Sequence, residues 1–300
     1  MILAAAKPRF LMCPPDHFAV SYAINPWMDP ASWARDDHAL AAASLREWAA
    51  LRRTLLGLGA AVELVAPLPG LPDLVFTANA AVVLDRKVVL ARFRHAERQG
   101  EEQHIEAAFR SLQARGLIDM IRKLPEGLVL EGAGDCVWDQ ARNLFWMGYG
   151  PRSDVAAREP VADIFGAPTL ALKLADARFY HMDTAFCPLP RGEVMFVPDA
   201  FTRDGRATIH DWVEPDLRIE VAAEDAGCLA ANAVCLGDTL VMSGCGAGLR
   251  LRLAERGYRV LTTPLHSFLR SGGAAFCLTL RLDRMSRETQ ARRAVPVGAA

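Results

Sequence analysis

The sequence predicts an α/β fold in which five ββαβ units close into a ring, and three observations carry that expectation. Short apolar runs alternate with helical ones along the chain. A helical stripe, a terminal glycine and a strand follow one another at least three times. Polar residues opening apolar strands also recur at a near-constant interval. Asn79 to Glu131 spans 52 residues, Glu131 to His181 50, His181 to Asn232 51, and Asn232 to Cys277 45. A fixed period of this length marks a repeat architecture. Closing such a ring removes sheet edges and brings equivalent strand starts to one centre.

Taken in order, residues 39–58 place Leu45, Trp48, Leu51, Leu55 and Leu58 at steps of three and four. That is the spacing of an amphipathic helix, which Gly59 stops, and residues 61–65 follow as a strand. Residues 76–83 form the first polar entry into an apolar strand. Ile105, Phe109 and Leu112 mark a second helix closing at Gly116. Residues 131–138, 180–186 and 231–236 repeat the polar-to-apolar entry. Leu249 and Leu253 mark a helix closing at Gly257, with a strand at 258–261. Residues 272–278 make the fifth entry. The expected organisation is one domain over residues 1–285 and a basic tail, 286–300, that frays because it carries no apolar period.

Composition narrows the function. The chain has 300 residues, 52% hydrophobic and 23% charged, which excludes a disordered or fibrous protein. Thirty-four basic side chains face 35 acidic ones. Such a balance gives no electrostatic reason to bind nucleic acid or an anionic membrane, so a small molecule is the expected partner. No apolar run approaches the length of a bilayer span. Residues 1–8 lack the pattern of a signal peptide. Seven cysteines without a CxxC pair argue against zinc knuckles and redox motifs and suit a reduced cytosol. A soluble cytoplasmic protein is expected, with no metal and no cofactor; a homo-oligomer stays open.

Chemistry concentrates at the strand entries. Cys277 follows Ser271-Gly-Gly-Ala-Ala, small residues that let backbone approach a ligand closely. It reads either as one of seven buried thiols or as a nucleophile needing a base. His181 is the candidate base, and Asp183, two residues on, would share its side of an extended strand. Glu131 and Asp135 flank a glycine turn; a carboxylate pair would suit a planar guanidinium, although solvated acids fit the same pattern. Arg98 and Arg152 could then hold a carboxylate. Gly244-Cys-Gly-Ala-Gly248 precedes a helix but lacks the spacing of a dinucleotide loop.

Together, Phe76-Thr-Ala-Asn79, Glu131-Gly-Ala-Gly-Asp135, His181-Met-Asp183 and Gly272-Gly-Ala-Ala-Phe-Cys277 resemble the guanidino-group-modifying superfamily, the penteins. The likeness runs from about Pro8 to about Asp283. Cys13-Pro-Pro-Asp16, Ile24-Asn-Pro-Trp-Met28 and Phe179-Tyr-His-Met-Asp-Thr184 are closer still to the arginine dihydrolases of cyanobacteria. The resemblance implies a five-bladed α/β propeller of ββαβ repeats with pseudo-five-fold symmetry. It implies Cys277 as nucleophile, His181 as acid/base and Glu131 as the carboxylate orienting either His181 or the substrate. Asp183 would lie near the guanidinium, Arg98 and Arg152 on the substrate carboxylate, and Asn25 and Asn79 in the pocket wall. The implied reaction takes L-arginine to ornithine through a covalent thiouronium, releasing ammonia and carbon dioxide. Deiminases and dimethylaminohydrolases of the superfamily carry an aspartate where this chain has Asn79, and an amide can donate to a neutral ureido group where a carboxylate cannot. The alternatives are an arginine deiminase, a dimethylarginine dimethylaminohydrolase, an amidinotransferase or a non-catalytic arginine-binding protein.

Overall fold

A computed structural model describes residues 7–294; the expectations for residues 1–6 and 295–300 lie outside them. β1 (Arg9–Met12) runs parallel to β2 (Ala61–Leu64) across the helix Asp37–Gly57. β3 (Ala81–Leu84) turns back into β4 (Lys87–Leu90), and β4 runs parallel to β5 (Met120–Arg122) across the helix Glu101–Ala114. β6 (Cys136–Asp139), β7 (Leu144–Tyr149) and β8 (Thr169–Lys173) repeat this around the helix Arg158–Phe165. β9 (Phe186–Pro188), β10 (Val194–Phe196) and β11 (Arg218–Glu220) do so around Arg203–Trp212. β12 (Val234–Leu236), β13 (Thr239–Met242) and β14 (Arg259–Thr262) follow around Ala247–Glu255.

The ring closes by a late return. β15 (Leu280–Arg281) pairs antiparallel with β1, so the first blade takes its inner strand from the end of the chain. The result is five three-stranded sheets of one ββαβ plan, the expected five-bladed α/β propeller. β3, β6 and β12 are buried along their whole length. Strands covered on both faces tolerate continuous apolar sequence, and these show it.

The helix Asp37–Gly57 buries Ser44, Trp48, Leu51 and Leu55, whereas Leu45 is 44% exposed. The buried stripe therefore begins one position earlier than the apolar residues suggest. Gly59 takes φ 85°, and the amides of Gly59 and Ala60 reach back to Leu56 and Leu55 to end the helix. A left-handed residue there is what glycine supplies at least cost. Arg287–Ala294 is helical. The Ser286 amide and hydroxyl both bond the Asp85 carboxylate, at 2.8 and 2.7 Å, and the Arg287 amide donates to Asn143 at 2.7 Å. Polar anchoring to two hairpin turns replaces the missing apolar stripe. Among the described residues no helix is long and apolar enough to cross a membrane.

Each inner strand starts within three residues of a predicted polar position. Asn79 precedes β3, Asp135 precedes β6, Asp183 precedes β9, Asn232 precedes β12 and Cys277 precedes β15. Five equivalent strand starts thereby deliver side chains to one end of the propeller axis.

Candidate active site

Cys277 is 2% exposed and sits at the centre of a small polar set. Its thiol donates to Asp183 Oδ2 at 3.1 Å. Asn232 clasps it from the neighbouring blade: Nδ2 donates to Cys277 Sγ at 3.0 Å and Oδ1 accepts the Cys277 amide at 3.1 Å. The same Nδ2 reaches the Asp183 carbonyl at 3.1 Å, locking both residues to one frame. Burial pushes the Cys277 thiol well above its ordinary 9.0, with the Asp183 charge and hydrogen bond adding to it. Burial likewise raises Asp183 to about 7, against the lowering effect of its bonds to Cys277 and Asn232. Asp183 Oδ1 is buried and has no hydrogen-bond partner.

His181 lies on the other side of the one-turn segment Met182–Thr184. That segment is a 3-10 turn, so the extended-strand argument for pairing His181 with Asp183 fails in its geometry. The two side chains diverge instead: Asp183 meets the thiol, and His181 Nε2 meets Glu131 Oε2 at 2.7 Å. Glu131 is fully buried; its Oε1 accepts the Arg94 amide at 3.1 Å and its Oε2 also accepts from Arg152 at 2.9 Å. Burial works to raise the Glu131 pKa, but the hydrogen bond and charge of His181, together with Arg152 and Arg98, hold it below the carboxylate range. An ionised Glu131 fixes the tautomer, with the proton on Nε2 and the Nδ1 lone pair toward Asn79. Burial lowers His181 to about 4, Glu131 opposing.

Asn79 Nδ2 stands 3.4 Å from His181 Nδ1. Its Oδ1 accepts from Arg98 at 2.8 Å, which sets the amide so that its N–H groups face the site. Arg98 is buried and makes a two-pronged pair with Glu101, both contacts at 2.8 Å, while stacking on Phe93 and donating to the Asp73 carbonyl. Such a buried pair holds its geometry because both charges are fully hydrogen-bonded. Arg152 stacks over Tyr180 and donates to the Ile24 carbonyl at 3.0 Å. Both guanidiniums are therefore turned onto protein acceptors.

Asp135 does not join Glu131 on a shared ligand face. Residues Gly132–Asp135 form one turn of helix, and the fully buried Asp135 accepts from Ser153 Oγ at 2.5 Å and the Met182 amide at 3.0 Å. It braces the His181–Asp183 turn from behind. The turn packs so tightly that a Cβ on Gly134 would lie 2.1 Å from Asn79 Nδ2. Asn25 belongs to a strap of residues 22–28 across the site. It donates to the Ser271 carbonyl at 3.1 Å, while Tyr22 bonds Asp73 and Trp27 bonds the Arg178 carbonyl.

Two participants were missed as site residues. Asn232 was visible as a repeat position, but a lone asparagine before an apolar strand reads as a turn. Asp73, 3% exposed and raised in pKa chiefly by burial, accepts from Tyr22 and Ser271 beside Arg98. No periodic signal marks it. The glycine run 244–248, by contrast, gives its Gly246 amide to Asp225 at 2.6 Å.

The arrangement matches a known family. A family model described as N,N dimethylarginine dimethylhydrolase, eukaryotic, covers residues 15–284. The chain belongs to this dimethylarginine dimethylaminohydrolase-like family of penteins. It is 42% identical over 274 residues to the bifunctional arginine dihydrolase/ornithine cyclodeaminase ArgZ of Synechocystis, covering 91% of this chain and 37% of that one. It is 36% identical to the N(G),N(G)-dimethylarginine dimethylaminohydrolase of Mycobacterium tuberculosis, over 91% of this chain and 85% of that protein. A crystal structure of the N-terminal domain of ArgZ bound to substrate superposes with a TM-score of 0.85 at 41% identity, covering 93% of this chain and 99% of that domain. The chain spans about two fifths of the length of the bifunctional relatives it matches.

Proposed function

We propose that this protein hydrolyses the guanidino group of L-arginine to ornithine, releasing two ammonia and one carbon dioxide, with Cys277 as nucleophile. The observation that carries the reading is the unpartnered Asp183 Oδ1 beside the thiol. A buried carboxylate oxygen without a donor is costly, and a guanidinium N–H supplies the missing partner while leaving its carbon next to sulfur. The arriving cation also opposes the two effects that keep the thiol protonated, burial and the Asp183 charge.

Each residue then has one task. The Cys277 sulfur bonds to the guanidino carbon as its proton passes to His181 Nδ1. His181, held by Glu131 through Nε2, uses Nδ1 to carry a proton to the departing ammonia as the C–N bond breaks. The same nitrogen draws a proton from water, which attacks the thiouronium carbon and breaks the C–S bond. That first round leaves a ureido group. The Asn79 amide, set by Arg98, donates to it and retains it for a second attack. Loss of ammonia then gives a thiocarbamate, whose hydrolysis yields a carbamate that splits into ornithine and carbon dioxide. Arg98 thus acts through Asn79 as a positioning residue, and Asp135 acts through Met182. Arg152 is the candidate for the α-carboxylate, since its bond to the uncharged Ile24 carbonyl is one a carboxylate would replace. Asn25, on the same strap, lines the entrance. In this reading the protein works in the reducing cytoplasm, a location that its seven free thiols support.

A second reading, removal of methylamines from methylated arginine to leave citrulline, is favoured by the match over most of the mycobacterial enzyme. Incubation with arginine, citrulline and dimethylarginine, followed by amino-acid and ammonia analysis, separates the two. Ornithine with two ammonia per arginine supports the proposal. Citrulline accumulating with one ammonia, or dimethylamine from the methylated substrate alone, overturns it.

A further inference from the structure

Midway along two of the inner strands that start at the Cys277 site, two sulfurs face each other. Cys187 on β9 and Cys235 on β12 lie 3.7 Å apart, 5% and 8% exposed. Among the described residues no other pair of cysteine sulfurs lies within hydrogen-bonding reach. Both line a cavity of about 30 Å³ on the propeller axis, walled by Phe10, Trp138, Arg281 and Arg284. That is room for about two waters, and so for one small peroxide. Arg281 donates to the Cys235 carbonyl and pairs with Asp283, placing positive charge beside the sulfurs. Cys13 and Cys136, by contrast, have no thiol partner and are raised in pKa chiefly by burial.

We infer that Cys187 and Cys235 form an oxidisable dithiol, a modification site that a small hydroperoxide converts to a disulfide. Cys235 is the attacking sulfur. Arg281 bonds the Cys235 carbonyl, and both its charge and that of Arg284 act on the Cys235 thiol, whereas of the two only Arg284 acts on Cys187. The Cys235 sulfur bonds to the terminal peroxide oxygen as the O–O bond breaks. Its proton passes to the leaving alkoxide or hydroxide, and a sulfenic acid remains. The Cys187 sulfur then attacks the Cys235 sulfur; the S–S bond forms, the S–O bond breaks, and hydroxide leaves as water with the Cys187 proton. Two electrons pass from the thiols to the peroxide, which ends as an alcohol or water. Cys187 follows Asp183 by four residues and Cys235 follows Asn232 by three, so the new bond ties together the two strands whose starts hold the nucleophile.

The test is to titrate the reduced protein with hydrogen peroxide, quench with N-ethylmaleimide in denaturant and map unreduced peptides by mass spectrometry. The expected result is a Cys187–Cys235 peptide, lighter by two hydrogens and lost on adding dithiothreitol, at doses that leave Cys13 and Cys136 fully alkylated. In Cys187→Ser the linkage disappears and dimedone traps a sulfenic acid on Cys235. Full alkylation of both cysteines at doses that oxidise Cys277, or higher oxides of Cys235 without the cross-link, overturns the proposal. The mapping on the unmodified protein decides the question even if the serine variant fails to fold.

Discussion

Replacing Asp183 with asparagine tests the electrostatics of the site without an activity measurement. Asp183 is 1% exposed, has one partnered oxygen and one orphan, and is raised by burial from 3.8 to about 7. Between roughly pH 4 and pH 7 the folded protein therefore keeps a proton that the unfolded chain has lost. Unfolding releases that proton, so this residue's contribution to stability falls as pH rises through the window. At 1.36 kcal/mol per pKa unit, the ceiling is about 4 kcal/mol. Asp183→Asn removes the titration. Urea unfolding of both proteins at pH 4.5, 6 and 8 should show the variant gaining on the parent by up to about 3 kcal/mol between the ends, the first part of the span being already expressed at pH 4.5. His181, lowered to about 4, tilts stability the opposite way, but it does so in both proteins and cancels in the comparison. A stability difference that stays flat with pH, or that shifts toward the parent at pH 8, would refute the assignment of a raised Asp183.

Three further outcomes follow from the geometry. Cys277→Ser should abolish turnover while calorimetry still detects arginine binding; undiminished activity would remove the nucleophile from the scheme. Asn79→Asp should shift the product from ornithine to citrulline, because the residue that receives Arg98 then has no N–H for the ureido group; product ratios by amino-acid analysis check it. Gly134→Ala puts a methyl group 2.1 Å from Asn79 Nδ2. It should cost about 1–3 kcal/mol in chemical denaturation and depress ornithine formation more than arginine binding.

Much of the architecture was readable because polar residues interrupt otherwise apolar inner strands at five equivalent places. Asn79, Glu131, His181, Asn232 and Cys277 stand out against runs such as 81–84 and 234–236, and the interval between them is the size of a blade. The helices Arg158–Phe165 and Arg203–Trp212 were less legible. The first buries only Val161 and Phe165, and the second only Gly205 and Ile209, too little to make an apolar stripe. Side-chain direction was the other limit. Glu131 and Asp135 look equivalent around their glycines, yet one helical turn sends Glu131 to His181 and Asp135 to the Met182 amide. Arg98 carries no sign in sequence that Glu101, one turn along, claims it. Asp73 has neither period nor motif to announce it, and only the return of residues 22 and 271 through space makes it part of the site.

Rapid acid quench during turnover of arginine, followed by peptide mass spectrometry, addresses the chemistry most directly. The account predicts a transient adduct on the Cys277 peptide with the mass of arginine less one ammonia, formed and lost at rates compatible with product release. Turnover proceeding with Cys277 unmodified at every time point, or with the adduct on another residue, would contradict it.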